Sequence, residues 1–203
     1  MKRLAIFASG NGSNAQAMIE ASRQEKWEEQ VVLVVCDQPS AYVIERARSL
    51  HVPVLAISPI LFSTKQEYET CILQTLHSLQ VDALILAGYM RLIGPTILHS
   101  YEGKIVNVHP SLLPYYPGLQ AIERAFEAGE EELGISIHLV DEGMDTGPIL
   151  QQVSVPRTEG MTLVEMQKAI QAVEHEWYPK TVRSWLDDQK NRGGTKHEKA
   201  SVN

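Results

Sequence analysis

Short apolar runs alternate with amphipathic stretches along this chain, and that alternation predicts strands interleaved with helices. Residues 4–8, 31–36 and 83–87 are apolar at nearly every position, as strands covered on both faces should be. Residues 53–57 and 105–109 read as shorter strands, and 135–141 alternates strictly, with Ile135, Ile137 and Leu139 opposite Ser136, His138 and Val140. A last strand is expected near 149–155. Helices are expected from about Ala15, from a Ser40 cap through Leu50, and from a Thr64/Glu67 capping box to about Leu79. Shorter ones are expected near 95–99 and 119–128, the latter stopped by Gly129. Thr162 and Glu165 open a long helix with Leu163, Met166, Ile170, Val173 and Trp177 on one side, and Pro179 should kink or interrupt it before 182–186. The pattern predicts an α/β fold: one doubly wound, mostly parallel sheet with a Rossmann-like N-terminal half. A single domain over residues 1–188 is expected, followed by a polar, disordered tail over 189–203 with little to bury.

Composition narrows the function classes. The chain has 203 residues, 44% hydrophobic and 21% charged, within the range of an ordinary globular domain. A formal net charge of -7 argues against nucleic-acid partners, which select for a basic face. An anionic small molecule would have to be held by a local device. Cys36 and Cys71 belong to no CxxC or His-rich cluster and read as free, buried thiols. The N-terminal apolar run is too short for a signal peptide or membrane span, so a cytoplasmic protein with no membrane partner is expected.

The chemistry concentrates at the end of the strand Ile105-Val106-Asn107-Val108-His109. Alternation puts Asn107 and His109 on the same face, and the Pro110-Ser111-Leu112-Leu113-Pro114 run that follows must open into a loop. An amide donor beside an imidazole suits acyl-type chemistry, one stabilising an oxyanion and the other moving protons. Downstream lie His138, Asp141, Glu142 and Asp145. The turn Asp145-Thr146-Gly147-Pro148 fixes where its carboxylate points, as the orienting partner of a catalytic imidazole requires. His138 reads as a hydrogen-bonded structural histidine. A metal site from His109, His138 and Asp145 matches no standard zinc spacing, and no metal is expected.

The first loop, Gly10-Asn11-Gly12-Ser13-Asn14-Ala15, fits G-x-G-x-x-A, and Asp37 falls near the place of a ribose-binding acid. Alone, the loop is equally a dinucleotide fingerprint, a single-phosphate cradle or a tight strand-to-helix turn. An NAD-dependent oxidoreductase is therefore the rival from another class, although it leaves Asn107, His109 and Asp145 without a shared task.

Four segments together resemble a known family: Ser9-Gly10-Asn11-Gly12-Ser13-Asn14, Ala87-Gly88-Tyr89-Met90-Arg91, the Asn107 to Pro114 run, and the loop from Asp141 to Pro148. They are similar to the folate-dependent formyltransferases, and within these to the phosphoribosylglycinamide formyltransferases of purine biosynthesis. The resemblance implies formyl transfer from 10-formyltetrahydrofolate to the amine of glycinamide ribonucleotide, with Asn107, His109 and Asp145 catalytic. It implies that Gly12, Ser13 and Asn14 hold the substrate phosphate and that Glu174 receives the glycinamide end. Met90, Arg91, Leu92, Ile93 and Asn107 would line the folate site, joined by Lys65 where some relatives carry arginine. Lysine keeps the charge but loses the bidentate fork. No tightly bound cofactor is implied, because folate arrives as a co-substrate. The expected partners are these small molecules, with the protein a monomer or homodimer. Related formyltetrahydrofolate hydrolases carry an additional N-terminal domain, and methionyl-tRNA formyltransferases an additional C-terminal one. The extent of this chain leads us to expect neither.

Overall fold

The computed structural model describes residues 1–197, with side chains through Asn191. Seven strands form one sheet: β1 (Arg3–Ala8), β2 (Gln30–Cys36), β3 (Val54–Ala56), β4 (Ala83–Leu86), β5 (Ile105–His109), β6 (Glu132–Leu139) and β7 (Ile149–Pro156), ordered β3-β2-β1-β4-β5-β6-β7. The first five are parallel, whereas β6 and β7 add antiparallel strands at one edge.

Both faces of the parallel strands are buried, which explains their unbroken apolar sequence. Leu4, Ile6 and Ala8 face one layer while Ala5 and Phe7 face the other. The first layer holds α1 (Ser13–Gln24), α2 (Val43–Ser49), α5 (Ala121–Glu127) and α6 (Leu163–His197). The second holds α3 (Lys65–Ser78) and α4 (Pro95–Ser100). The chain reverses direction across the sheet between β1 and β4, so the loops beyond their carboxyl ends make the expected ligand edge.

Four sequence expectations change. Ser40 does not cap α2, which begins after Tyr42 without a side-chain cap. At α5, Gln120 stands at the N-cap in a left-handed conformation, so the helix starts two residues later than its apolar pattern suggests. Pro179 does not interrupt α6. It is buried there, and packing on both sides outweighs the one helical hydrogen bond that proline removes. The helix also continues beyond Gln189 to His197. Lys190 helps hold it, pairing with Glu29 at 2.7 Å and Glu28 at 3.1 Å. The rest of the expected tail, residues 198–203, lies outside the described residues.

Tyr178 ties α6 to the working edge. Its buried hydroxyl lies 3.0 Å from both the Leu86 carbonyl oxygen, at the end of β4, and the Val106 carbonyl oxygen of neighbouring β5. Glu174, one turn earlier on the same helix face, is thereby held over the start of α1.

Candidate active site

At the end of β5, Asn107 and His109 meet a third side chain from β6. The antiparallel register sets Asn107 opposite His138, and Asn107 Nδ2 lies 3.2 Å from His138 Nε2. The Asp145 carboxylate faces both histidines, with Oδ2 3.4 Å from His109 Nδ1 and Oδ1 3.7 Å from His138 Nε2. These four residues form one cluster. The sequence placed Asn107, His109 and Asp145 together but left His138 as a structural histidine.

Backbone groups fix the orientation of each member. His109 Nε2 lies 2.9 Å from the Tyr116 carbonyl oxygen. A carbonyl only accepts, so Nε2 carries a proton and Nδ1 is the nitrogen left for proton exchange. Gly118 N–H donates to Asp145 Oδ2 at 2.8 Å, aiming that oxygen at the ring. The Tyr115-Tyr116-Pro117-Gly118 turn thus orients both halves of the His109–Asp145 pair. Asp145 adopts φ +57°, the left-handed region that a non-glycine residue enters at some cost. The turn around it is tied by Asp141, whose Oδ1 accepts from Gly143 N–H and Thr146 Oγ1. Gly147 is required there, since a Cβ would run into the Leu139 carbonyl oxygen.

Burial is the larger influence on His138, and with His109 nearby it pushes the imidazole below its usual range. The Leu139 carbonyl, Asp145 and Asp141 pull the other way. Among the described residues, no group of three His, Cys, Asp or Glu side chains is arranged to hold a metal ion. No described helix is long and apolar enough to cross a membrane.

The first loop lies on the same edge. Gly12 caps α1 at φ +77°, and a Cβ there would collide with Val43 of α2. Its glycine is explained by a turn and a close helix approach. Ser13 and Asn14 open α1, whose first turn carries no acidic side chain. Both reach α6: Gln171 Nε2 donates to Ser13 Oγ at 3.1 Å, and Asn14 Nδ2 donates to Glu174 Oε2 at 2.9 Å. Gln171 was not singled out from the sequence, although it sits one helical turn before Glu174 on the same face. Arg46 steadies the loop from α2 by donating to the Asn11 carbonyl and side-chain oxygens, both at 2.9 Å. Asp37 is 2% exposed, so its carboxylate is not open to a ribose. The dinucleotide reading loses its acid.

Burial pushes the Glu174 carboxyl up to about 7, against the opposing effect of the Asn14 hydrogen bond. A folded-state value above the unfolded one means that the native state binds the extra proton between pH 4.5 and 7. The contribution is full below that window and is lost as pH rises through 7. Glu174→Gln should therefore leave Tm nearly unchanged at pH 5 but raise it by about 2–6 °C at pH 8. A thermal shift series across pH checks this, and a gap that does not grow with pH would contradict it.

On the other side of β1 lies the segment from Met90 to Ile93. Ser9 Oγ accepts from Met90 N–H at 2.9 Å, and Ser9 N–H donates to the Gly88 carbonyl at 3.0 Å. Met90 and Leu92 are largely exposed despite being apolar. Arg91 is exposed and stands over the Tyr68 ring, its guanidinium 5.9 Å from the centroid. Ile93 is partly buried against the second core layer. Lys65 begins α3 with its ammonium 3.9 Å from the buried Glu69 carboxylate, which also accepts from Gly94 N–H at 2.5 Å. Lys65 is thus joined to the end of that segment through Glu69.

Residues 2–182 match the formyl transferase family. The chain belongs to it. It is 47% identical over 193 residues to the phosphoribosylglycinamide formyltransferase of Bacillus subtilis (strain 168), covering 95% of this chain and 98% of that one. It is 35% identical to the Escherichia coli (strain K12) protein of the same name, covering 91% and 87%. The crystal structure of phosphoribosylglycinamide formyltransferase from Bacillus halodurans superposes with a TM-score of 0.88 at 49% identity, over 91% of this chain and 95% of that one. Glycinamide ribonucleotide transformylase 1 from Geobacillus kaustophilus gives 0.89 at 50% identity, over 92% and 99%. The doubly wound sheet is accordingly the formyltransferase fold, and the NAD-dependent alternative is set aside.

Proposed function

We propose that this chain transfers the formyl group of 10-formyltetrahydrofolate to the amine of glycinamide ribonucleotide, a step of purine biosynthesis. One observation carries the reading to this chain's own residues. The Asn107–His138–Asp145–His109 cluster and the Ser13–Asn14–Glu174–Gln171 cluster open on the same sheet edge. The first suits acyl transfer, and the second suits a substrate carrying a phosphate at one end and an amine at the other.

The phosphate sits at the start of α1, where Gly12, Ser13 and Asn14 present free N–H groups and the helix dipole favours an anion. Glu174 faces the amine, and its carboxyl, pushed up to about 7 by burial, is placed to take the proton that the bound ammonium must shed before its nitrogen attacks. Met90, Arg91, Leu92 and Ile93, with Lys65 beyond them, line the folate site. The amine nitrogen attacks the formyl carbon, and the carbonyl pair moves onto oxygen. Asn107 donates to that oxyanion and His109 stabilises the same charge. Collapse expels the folate nitrogen, which takes a proton through His109 while the attacking nitrogen loses one. Asp145 orients the imidazole and balances its charge. No metal or tightly bound cofactor is needed, since the formyl group arrives activated. The protein works in the cytoplasm on small molecules, as a monomer or homodimer.

Following deformylated folate by absorbance with and without glycinamide ribonucleotide tests the function. Turnover should require the ribonucleotide. Equal turnover in its absence would make the chain a hydrolase.

Ser13→Asp tests the phosphate assignment, because it places a negative charge at the anion site. It should raise KM for the ribonucleotide by about 10-fold or more, from like-charge repulsion at the helix start, and leave KM for formylfolate within about twofold. Steady-state kinetics in each substrate measures both, and equal effects would remove the assignment.

A further inference from the structure

His138 is one of the least exposed polar residues of the chain, at 2%. Its Nδ1 lies 2.8 Å from the Leu139 carbonyl oxygen. That oxygen can only accept, so Nδ1 bears a proton, and in the neutral ring Nε2 must be an acceptor. Burial and the nearby His109 favour that neutral ring. The donor within reach of Nε2 is Asn107 Nδ2, at 3.2 Å.

The consequence falls on Asn107. A side-chain amide can turn over, exchanging its donor end for its acceptor end at little intrinsic cost. Turned the wrong way, Asn107 would aim an oxygen lone pair at the developing oxyanion, replacing attraction by repulsion. Its Oδ1 cannot be placed against Nε2 without setting two lone pairs against each other. The ring thus holds the NH2 end of the amide in place, using one N–H and leaving the second for the substrate.

We propose that His138 is a positioning residue for formyl transfer: its Nε2 accepts from Asn107 and so fixes which end of that amide faces the reacting oxygen. This rests on the functional reading above. His138 acts through Asn107, with the Asp145 carboxylate oxygen farther from the same Nε2, at 3.7 Å.

The test compares two variants in the full chain. The amide oxygen of His138→Gln can still accept from Asn107, whereas the thioether of His138→Met has similar bulk and accepts only weakly. His138→Met should lower kcat by about 10–10²-fold, approaching the loss of an oxyanion donor, with both KM values within about twofold. His138→Gln should recover kcat to within about fivefold of wild type. In an Asn107→Ala background, His138→Met should cost less than about threefold, because its target is gone. An undiminished cost in that background would overturn the proposal, as would a His138→Met variant with wild-type kcat. Should His138→Met fail to fold, His138→Gln decides: kcat within about fivefold of wild type supports the proposal, and a larger loss overturns it. Wild-type protein unable to transfer formyl would overturn the functional reading and this proposal together, whereas an active wild type with insensitive variants overturns this proposal alone.

Discussion

Replacing His109 by alanine should lower kcat for formyl transfer by about 10²–10⁴-fold, the range expected for a positioned acid-base group. The imidazole is held by contacts to Tyr116 and Asp145, so the wild-type geometry is set before substrate arrives. Truncation removes the proposed proton relay and one of the two groups assigned to the oxyanion, while Asn107 still donates. The folate surface proposed over the exposed Met90 and Leu92 is formed by other residues, so KM for formylfolate should stay within about threefold. Far-UV circular dichroism would verify the fold, since His109 is a buried side chain. A folded variant with near-wild-type turnover would make His109 structural.

Asp145→Asn should cost about 10²–10³-fold in kcat and little in either KM. The substitution preserves size but replaces one carboxylate oxygen with an amide nitrogen. Wild-type Oδ2 serves two groups, accepting from Gly118 N–H and facing His109 Nδ1. Asparagine cannot supply an anion to the imidazole, and its NH2 end must face the Gly118 donor, the histidine pair or solvent. The loss appears in the transition state, where positive charge on the ring is in demand. Single-turnover formyl transfer isolates this step from product release. A nearly normal single-turnover rate would reduce Asp145 to a turn residue.

The parallel half of the fold was legible because doubly covered strands leave unbroken apolar runs, and 105–109 was bounded correctly by its polar and proline-rich flanks. The helix boundaries were less so. Pro179 reads locally as a breaker, yet Tyr178 beside it is anchored in the core and the helix continues through. Local propensity carries no information about such packing.

The proposed catalytic set divides the same way. Asn107 and His109 lie on one strand, where alternation alone places them together, and a Gly-Pro turn marked Asp145. His138 needed the antiparallel register between β5 and β6, which no spacing within one strand reveals. Likewise, Gln171 gains meaning only when α6 crosses the start of α1. The first loop was ambiguous for a physical reason. Glycine at position 12 serves the turn and the approach of Val43, and it would be needed with or without a nucleotide.

The fate of the formyl carbon tests the central claim most directly. Protein given 10-formyltetrahydrofolate labelled with ¹³C in the formyl group, together with glycinamide ribonucleotide, should place the label in an amide on the ribonucleotide. Mass spectrometry would show that product with a stoichiometry of one label per folate deformylated. Label recovered as free formate, with the ribonucleotide unchanged, would contradict the account.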